Sequence, residues 1–461
     1  MKALVVGAGK LGFKLASALV DENCDVTVVD NDESVIENIL NTLDVLTINA
    51  NALDIEVLQE LDISSYDVVL ATTTNDEANV ILSTISKKLG AKYAIARVRD
   101  PEYKMHIEFI SKELNIDKII NPDNAAARSI EKYLLKQYKL YSDSFADGKI
   151  KLVEFNIGVD EDFVGKKVMD IKAFENLLIT AISRKGEAIV PNGNTLLCEN
   201  DVILLGGKSE DIEKFDREHS GVKKAKSIKK VLIVGAGKTG FYLAQNLLND
   251  GLDVTIVEID RQKCYEIKEK LPRAEIINGD GTNLSVLEEE MIQTFDAFVA
   301  TTGIDEANLL IALVVKQFGI YKSVAKVSRT NYDSIQDRLD IDAVFNTSYI
   351  MAAEILKHLR GGQAISVNLL LNGQVEATEL IIQKDALVCN KKLKELNLPA
   401  GILIVAVVNG NKIIIPNGET ILNEEDRVVL FNTHSETSAM KKYFHIDNNK
   451  KSLFNKIRFT K

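Results

Sequence analysis

The chain has 461 residues, room for several domains of ordinary size, and its 46% hydrophobic and 27% charged residues are the mixture expected of a soluble globular protein. Its formal net charge of −11 argues against a general nucleic-acid binder, whose affinity would rest on a basic surface. Cys24, Cys198, Cys264 and Cys389 are too widely spaced for a CxxC pair or a disulfide framework, which points to a reducing compartment, and the five histidines do not cluster at metal-ligand spacing. No apolar stretch approaches a membrane span, and Met1 runs almost directly into a buried-strand pattern, so no secretory signal is expected.

In chain order, apolar runs at 3–6, 26–29, 45–48, 68–71, 93–97 and 119–120 read as strands. Amphipathic helices are expected at 10–20 and 75–89, and a longer one from about 125 to 140. Alternation of this kind implies a parallel sheet covered on both faces. The same order returns from residue 231 to about 359. Between and after these units lie two smaller ones with short strands, a Pro-Asn-Gly turn at Pro191-Asn192-Gly193 and again at Pro416-Asn417-Gly418, and helices at 209–215 and 436–443. The fold class is therefore α/β: two Rossmann-like parallel-sheet domains, each followed by a small α+β domain. The expected boundaries are 1–140, 141–220, a lysine-rich linker at 221–230, 231–360, 361–447 and a basic tail at 448–461.

The repeat is most exact where the chemistry lies. Gly7-Ala8-Gly9-Lys10-Leu11-Gly12 returns 228 residues later as Gly235-Ala236-Gly237-Lys238-Thr239-Gly240, and Asp30 returns as Glu258 at the same offset. Each glycine turn follows a strand and opens a helix, the context of a dinucleotide fingerprint. The first glycine permits the tight turn, the second lets a pyrophosphate approach, and the third lets helix and strand pack. Asp30 and Glu258 can accept ribose hydroxyls and would repel a 2′-phosphate, favouring NAD or an adenine nucleotide over NADP. After the third strand, Asn51 and Asp280 are placed to meet an adenine edge. After the fourth, Thr73, Thr74 and Thr302 sit at a strand-to-helix turn, either as ligand contacts or as ordinary helix caps. Arg97 and Arg99 share a face at the end of the fifth strand, where Lys326 and Ser328 stand in the second copy. An arginine there clamps a terminal phosphate, which suits ATP or ADP; the alternative is a salt bridge with Asp76, Glu77 or Asp100. No Tyr-x-x-x-Lys helix, placed histidine or P-loop accompanies these pockets, so no catalytic and no metal-binding residue is expected.

The double glycine motif with Asp30 and Glu258, the paired Asp-Glu-Ala-Asn segments at 76–79 and 305–308, and the alternation of large and small domains resemble the TrkA family, regulatory subunits of bacterial Trk potassium uptake. The resemblance covers nearly the whole chain. It implies tandem RCK-N and RCK-C domains, a homo-oligomeric ring docked beneath a Trk-type potassium-translocating membrane subunit, and a cytoplasmic place touching the membrane only through that partner. It implies binding of NAD(H) and of ATP or ADP, with gating rather than turnover as output. Carried over, the nucleotide positions fall on Gly7 to Leu11, Asp30, Asn51, Thr73, Thr74 and Arg97, and on Gly235 to Thr239, Glu258, Asp280, Thr302 and Lys326. Ala50 and Ala52 depart from the glycines of the family, and Ser328 from the second arginine, so the two sites should differ.

An NAD-dependent oxidoreductase is the alternative reading, and the missing acid-base residue counts against it. A redox-sensing DNA-binding repressor would need a helix-turn-helix and a basic face, and the sequence supplies neither. Residues 441–461 hold seven Lys/Arg and one acid among interleaved apolar residues, and read either as a solvated terminus or as a contact with an anionic membrane surface or pore.

Overall fold

The apolar runs near the N-terminus pair into one six-stranded sheet in a computed structural model of the protein, which describes residues 1–135, 142–157, 162–185, 187–219, 227–289, 292–329, 332, 339–360, 364–371, 373–410 and 412–446. The strands are β1 (Lys2–Val6), β2 (Asp25–Asp30), β3 (Leu46–Asn49), β4 (Val68–Ala71), β5 (Tyr93–Arg97) and β6 (Lys118–Ile120). They are all parallel, in the order β3-β2-β1-β4-β5-β6. Val5, Val28, Leu70 and Ile95 lie in register across the sheet and are fully buried, as expected where helices cover both faces. The strand order reverses at β1 and β4, and that switch point leaves a crevice at the carboxyl ends of the strands.

The helices are α1 (Lys10–Asp21), α2 (Glu33–Leu40), α3 (Ile55–Glu60), α4 (Asp76–Lys88), α5 (Ile107–Glu113) and α6 (Pro122–Leu135). Three of them, α2, α3 and α5, lie outside the sequence expectation. Each is short, and the inward stripe of α2 is only Ile36 and Ile39. Their start signals were present nonetheless: Asp32 caps α2 through Ser34 N at 2.9 Å, and Asp54 caps α3 through Glu56 N at 3.0 Å. Helix α6 begins at Pro122 rather than near residue 125. A proline in the first turn has no N–H to lose. Residues 136–140 of the expected helix lie outside the described residues.

A second sheet repeats the first with strands Lys230–Val234, Asp253–Glu258, Glu275–Asn278, Ala297–Ala300, Lys322–Val327 and Ala343–Asn346 in the equivalent order. Both large domains fall in one compact unit, made of residues 1–132, 228–329 and 344–352. Of the expected linker, 221–226 lie outside the described residues. Its end is part of the fold: Lys230 opens a strand, and the amides of Lys229 and Lys230 donate to Asp296 Oδ2 at 2.8 and 3.0 Å.

The small domains make up a second unit. Among the described residues each has a five-stranded antiparallel sheet and an α-helix after the sheet's last strand, Ser209–His219 and Thr437–Phe444. Leu152 and Leu204 of one sheet share a core with Val375, Val405 and Phe431 of the other, all at most 2% exposed. In each Pro-Asn-Gly turn the asparagine does the turning: Asn192 Oδ1 accepts from Asn194 N at 2.9 Å, and Asn417 Oδ1 from Glu419 N at 3.0 Å. The basic tail, 448–461, lies outside the described residues.

Candidate functional site

The glycines of the first turn act as the spacing requires. Gly7 has φ +86°, and a Cβ on it would stand 2.6 Å from Thr73 N; one on Gly12 would stand 1.9 Å from Gly7 O. At Gly9 a Cβ would meet nothing within 4 Å, because that face is open. The Thr72 hydroxyl donates to Gly7 O at 2.7 Å and pins the turn to the end of β4. Helix α1 starts without a side-chain cap, so its first N–H groups are left for an anion. Asp30 closes β2 and supports the turn, its Oδ2 accepting from Ala8 N at 2.6 Å and its Oδ1 from Asp32 N at 2.9 Å. Carboxylate oxygens accept more than one hydrogen bond, so this support leaves capacity for a ribose.

The second turn has the same build. Gly235 has φ +93°, and a Cβ on Gly240 would stand 2.1 Å from Gly235 O. Thr301 donates to Gly235 O at 2.8 Å, and Glu258 accepts from Ala236 N at 2.7 Å and Asp260 N at 3.1 Å, with Lys263 Nζ 3.4 Å away.

The corner after β4 is built by residues that sequence reasoning passed over. Asn79, fully buried, accepts from Thr73 N at 2.9 Å and Thr73 Oγ1 at 2.7 Å, and donates to Thr73 O at 3.0 Å and Arg97 O at 2.9 Å. Asn308 does the same for Thr302 and for Lys326 O. Asp76 accepts from the amides of Arg99 and Asp100, and Asp305 from those of Ser328 and Arg329. The signal was the recurrence of Asp-Glu-Ala-Asn in both copies. Its aspartate and asparagine fix the backbone that carries the strand-five cations. The helix cap is Asn75, accepting from Ala78 N at 2.6 Å; Thr73 is held by Asn79, and Thr74 is exposed.

A cleft of about 770 Å³ opens above β1 and β4. Of the residues expected for the first site, Gly7, Gly9, Lys10, Leu11, Asp30, Asn51, Thr73, Thr74 and Arg97 line it. Ala8 lies beneath, giving its amide to Asp30. Asn51 spends Oδ1 on Leu53 N at 3.1 Å, within its own turn. Lys326, assigned by sequence to the second site, lines this same cleft with Gly303, Ser328, Thr347 and Ser348, because the two large domains face each other at their strand-five ends. Gly235, Ala236, Gly237, Lys238, Thr239, Glu258, Asp280 and Thr302 surround the second turn instead. There Asp280 accepts from Thr282 N at 2.9 Å and Thr282 Oγ1 at 2.7 Å. Lys238 Nζ lies 3.5 Å from Asp76 and 3.7 Å from Asp100, and the Thr239 hydroxyl donates to Asp123 Oδ1 at 2.7 Å.

The cations of the cleft differ in their commitments. Arg99 is taken by Asp123, Nε to Oδ2 at 2.6 Å, and not by the acids considered from sequence. Burial pushes Asp123 up, but Arg99 and Thr239 together hold it below the usual carboxylate value. Arg97 is buried, and its Nε has no hydrogen-bond partner among the described residues. Burial, then the neighbouring Arg99, pulls its guanidinium below the ordinary value. Burial likewise lowers Lys326, whose Nζ donates to Thr302 O at 3.2 Å.

Known proteins carry the same pattern. The TrkA-N domain model matches residues 3–122 and 231–347, and the TrkA-C domain model matches 152–220 and 377–445. The chain belongs to the TrkA family. A relative from Methanosarcina mazei, Trk system potassium uptake protein TrkA homolog 1, is 34% identical over 96% of this chain and 100% of its own length. Trk system potassium uptake protein TrkA of Haemophilus influenzae is 29% identical over 94% of this chain and 95% of its own. A solved GsuK channel is similar in fold, with TM-score 0.58 and 19% identity over 96% of this chain and 78% of that chain. A GsuK channel bound to NAD has TM-score 0.54 and 18% identity over 97% of this chain and 79% of that chain. Among the described residues of this TrkA-family chain no helix is long and apolar enough to cross a membrane, and no group of three His, Cys, Asp or Glu could hold a metal ion.

Proposed function

We propose that this chain is the nucleotide-sensing regulatory subunit of a Trk-type potassium uptake system, binding NAD(H) and ATP or ADP and gating a potassium-translocating membrane partner without transforming the nucleotide. The Trk system names of its full-length relatives support the system. The observation that carries the nucleotide reading is the cleft itself, where Asp30, an uncapped helix N-terminus and the buried Arg97 line one cavity of nucleotide size. In this reading the amides from Gly9 to Leu11 hold the pyrophosphate, Asp30 the ribose, Asn51 the adenine edge, and Arg97 a terminal phosphate flanked by Thr73 and Thr74. Gly235 to Thr239, Glu258, Asp280 and Thr302 hold a second nucleotide more weakly. In this reading the domains are 1–140, 141–220, 231–360 and 361–447, and the chain assembles as a ring at the inner face of the membrane, touching it only through the pore subunit. A ligand moves a gate only by binding its two states with different affinity. A coupling of about 1–3 kcal/mol changes open probability several-fold.

Titration calorimetry with ATP, ADP and NADH tests the site. Arg97→Ala should weaken ATP about tenfold or more and NADH less, because only ATP offers a free γ-phosphate to a charge-assisted bond. Equal losses would remove the clamp, and no heat with any nucleotide would remove the reading.

A further inference from the structure

We infer that the nucleotide cleft belongs to both TrkA-N domains: Lys326 of the second, with the Ser328 hydroxyl beside it, receives the terminal phosphate of a polyphosphate nucleotide held by the first. The inference rests on the nucleotide reading of the cleft and adds who completes it. Lys326 and Ser328 line the cleft together with Arg97, although 229 residues separate the two cations in sequence. Both cations stand on equivalent strand ends, and each strand end is fixed by a buried asparagine, Asn79 bonding Arg97 O and Asn308 bonding Lys326 O at 2.9 Å.

Among the described residues no carboxylate is hydrogen-bonded to either cation: Asp123 is bonded to Arg99 and Thr239, and Asp76 and Asp305 each spend Oδ2 on two backbone amides and leave Oδ1 without a partner. Arg97 Nε has no hydrogen-bond partner among the described residues, and the bond from Lys326 Nζ goes to a neutral carbonyl. Burying a cation without a hydrogen-bonded counter-charge is unfavourable, and a di- or triphosphate supplies that charge to both at once. Asp30 and Asp32 line the cleft at the end of β2 and disfavour phosphate there, so the nucleoside end lies at β2 and the phosphates run toward strand five of both domains. Lysine suits the far side of the clamp as a compact charge on a flexible stem. A polyphosphate thereby ties the two domains together, whereas a nucleoside engages the first alone.

The test is titration calorimetry of the full chain with ATP and with adenosine. Lys326→Gln should lower ATP affinity about ten- to a hundredfold and leave adenosine unchanged, while Lys326→Arg retains most of the ATP affinity. An intact ATP affinity in Lys326→Gln overturns the inference and leaves the nucleotide reading standing. A wild-type chain that binds neither ligand removes both. A measurement needing no neutral variant is the proton linkage of ATP binding, from titrations at pH values rising to the ordinary lysine value of 10.5 in buffers of different ionisation enthalpy. Because burial lowers free Lys326, the wild type should take up more protons than Lys326→Arg as that pH is approached. Equal uptake by the two proteins across the whole range overturns the inference.

Discussion

At the first glycine turn Leu11 borders an open cleft; at the second, Thr239 stands in the same place and gives its hydroxyl to Asp123 of the opposite domain. The neighbours differ in the same sense. Tyr242 accepts from Asn121 Nδ2 at 2.9 Å and donates to Arg99 O at 3.2 Å, while its counterpart Lys14 lies over the Tyr349 ring at 4.3 Å. Lys238 leans toward Asp76 and Asp100, whereas Lys10 lines the cleft. Ser348, the counterpart of Asp123, brings no charge to the first turn. Two turns of one backbone geometry have thus diverged through the side chains opposite them. The first lines an open cleft, and the second is bonded to the other domain through Asp123.

The feature the turns share should be the most sensitive. Gly12→Ala and Gly240→Ala each force a Cβ into a carbonyl and should cost about 3 kcal/mol, equally in both copies, by thermal or urea unfolding. Clearly unequal losses would mean that the turns are not the same structure.

Asp123→Ala should cost about 2 kcal/mol, since Arg99 loses its partner but is partly solvated. It should raise amide exchange at 237–241 and not at 9–13. The folded value of Asp123 is depressed, so its contribution is complete above the ordinary 3.8 and is lost as pH falls through the lower value. An acid unfolding curve unchanged in Asp123→Ala would contradict that assignment.

Lys326 separates the sites by pH. Burial lowers it, Asp123 and Asp305 push it back up, and Lys10 and Arg99 push it further down. Phosphate favours its charged form, so the bound value exceeds the free one. ATP affinity should therefore be full below the free value and fall, at most about tenfold per pH unit, as pH rises through it toward 10.5. Lys326→Arg should flatten the profile, and a profile unaltered in that variant would assign the titration elsewhere. The smallest effects expected are those of Thr239→Val, about 1 kcal/mol from the lost bond to Asp123, and of Leu11→Thr, smaller still. A larger loss at Leu11 would reverse the comparison.

What was legible in the sequence was local. The glycine turns, Asp30, Glu258 and most strand limits follow from spacing and from apolar runs of a few residues, and β5 and β4 begin and end where their runs do. The short helices α2, α3 and α5 escaped because they bury two residues, one and none, too few to make a period. The role of Asn79 escaped because a buried asparagine that ties a turn to a strand end looks, in sequence, like any polar residue on a helix. The pairing of Asp123 with Thr239 spans 116 residues and has no local signature. For the same reason Lys326 was placed with its own domain's turn, although the opposed strand ends bring it to the other one.

The central claim is that nucleotide in this cleft sets potassium flux, and it is tested most directly in vesicles carrying the chain with its Trk-type pore. ATP and ADP should shift potassium flux in opposite directions. In Gly9→Asp plus Gly237→Asp the difference should vanish with assembly intact: a Cβ on Gly9 meets nothing within 4 Å and one on Gly237 only Thr301 O at 3.9 Å, so both carboxylates fit where pyrophosphate is expected. A nucleotide response that survives in the double variant would contradict the account.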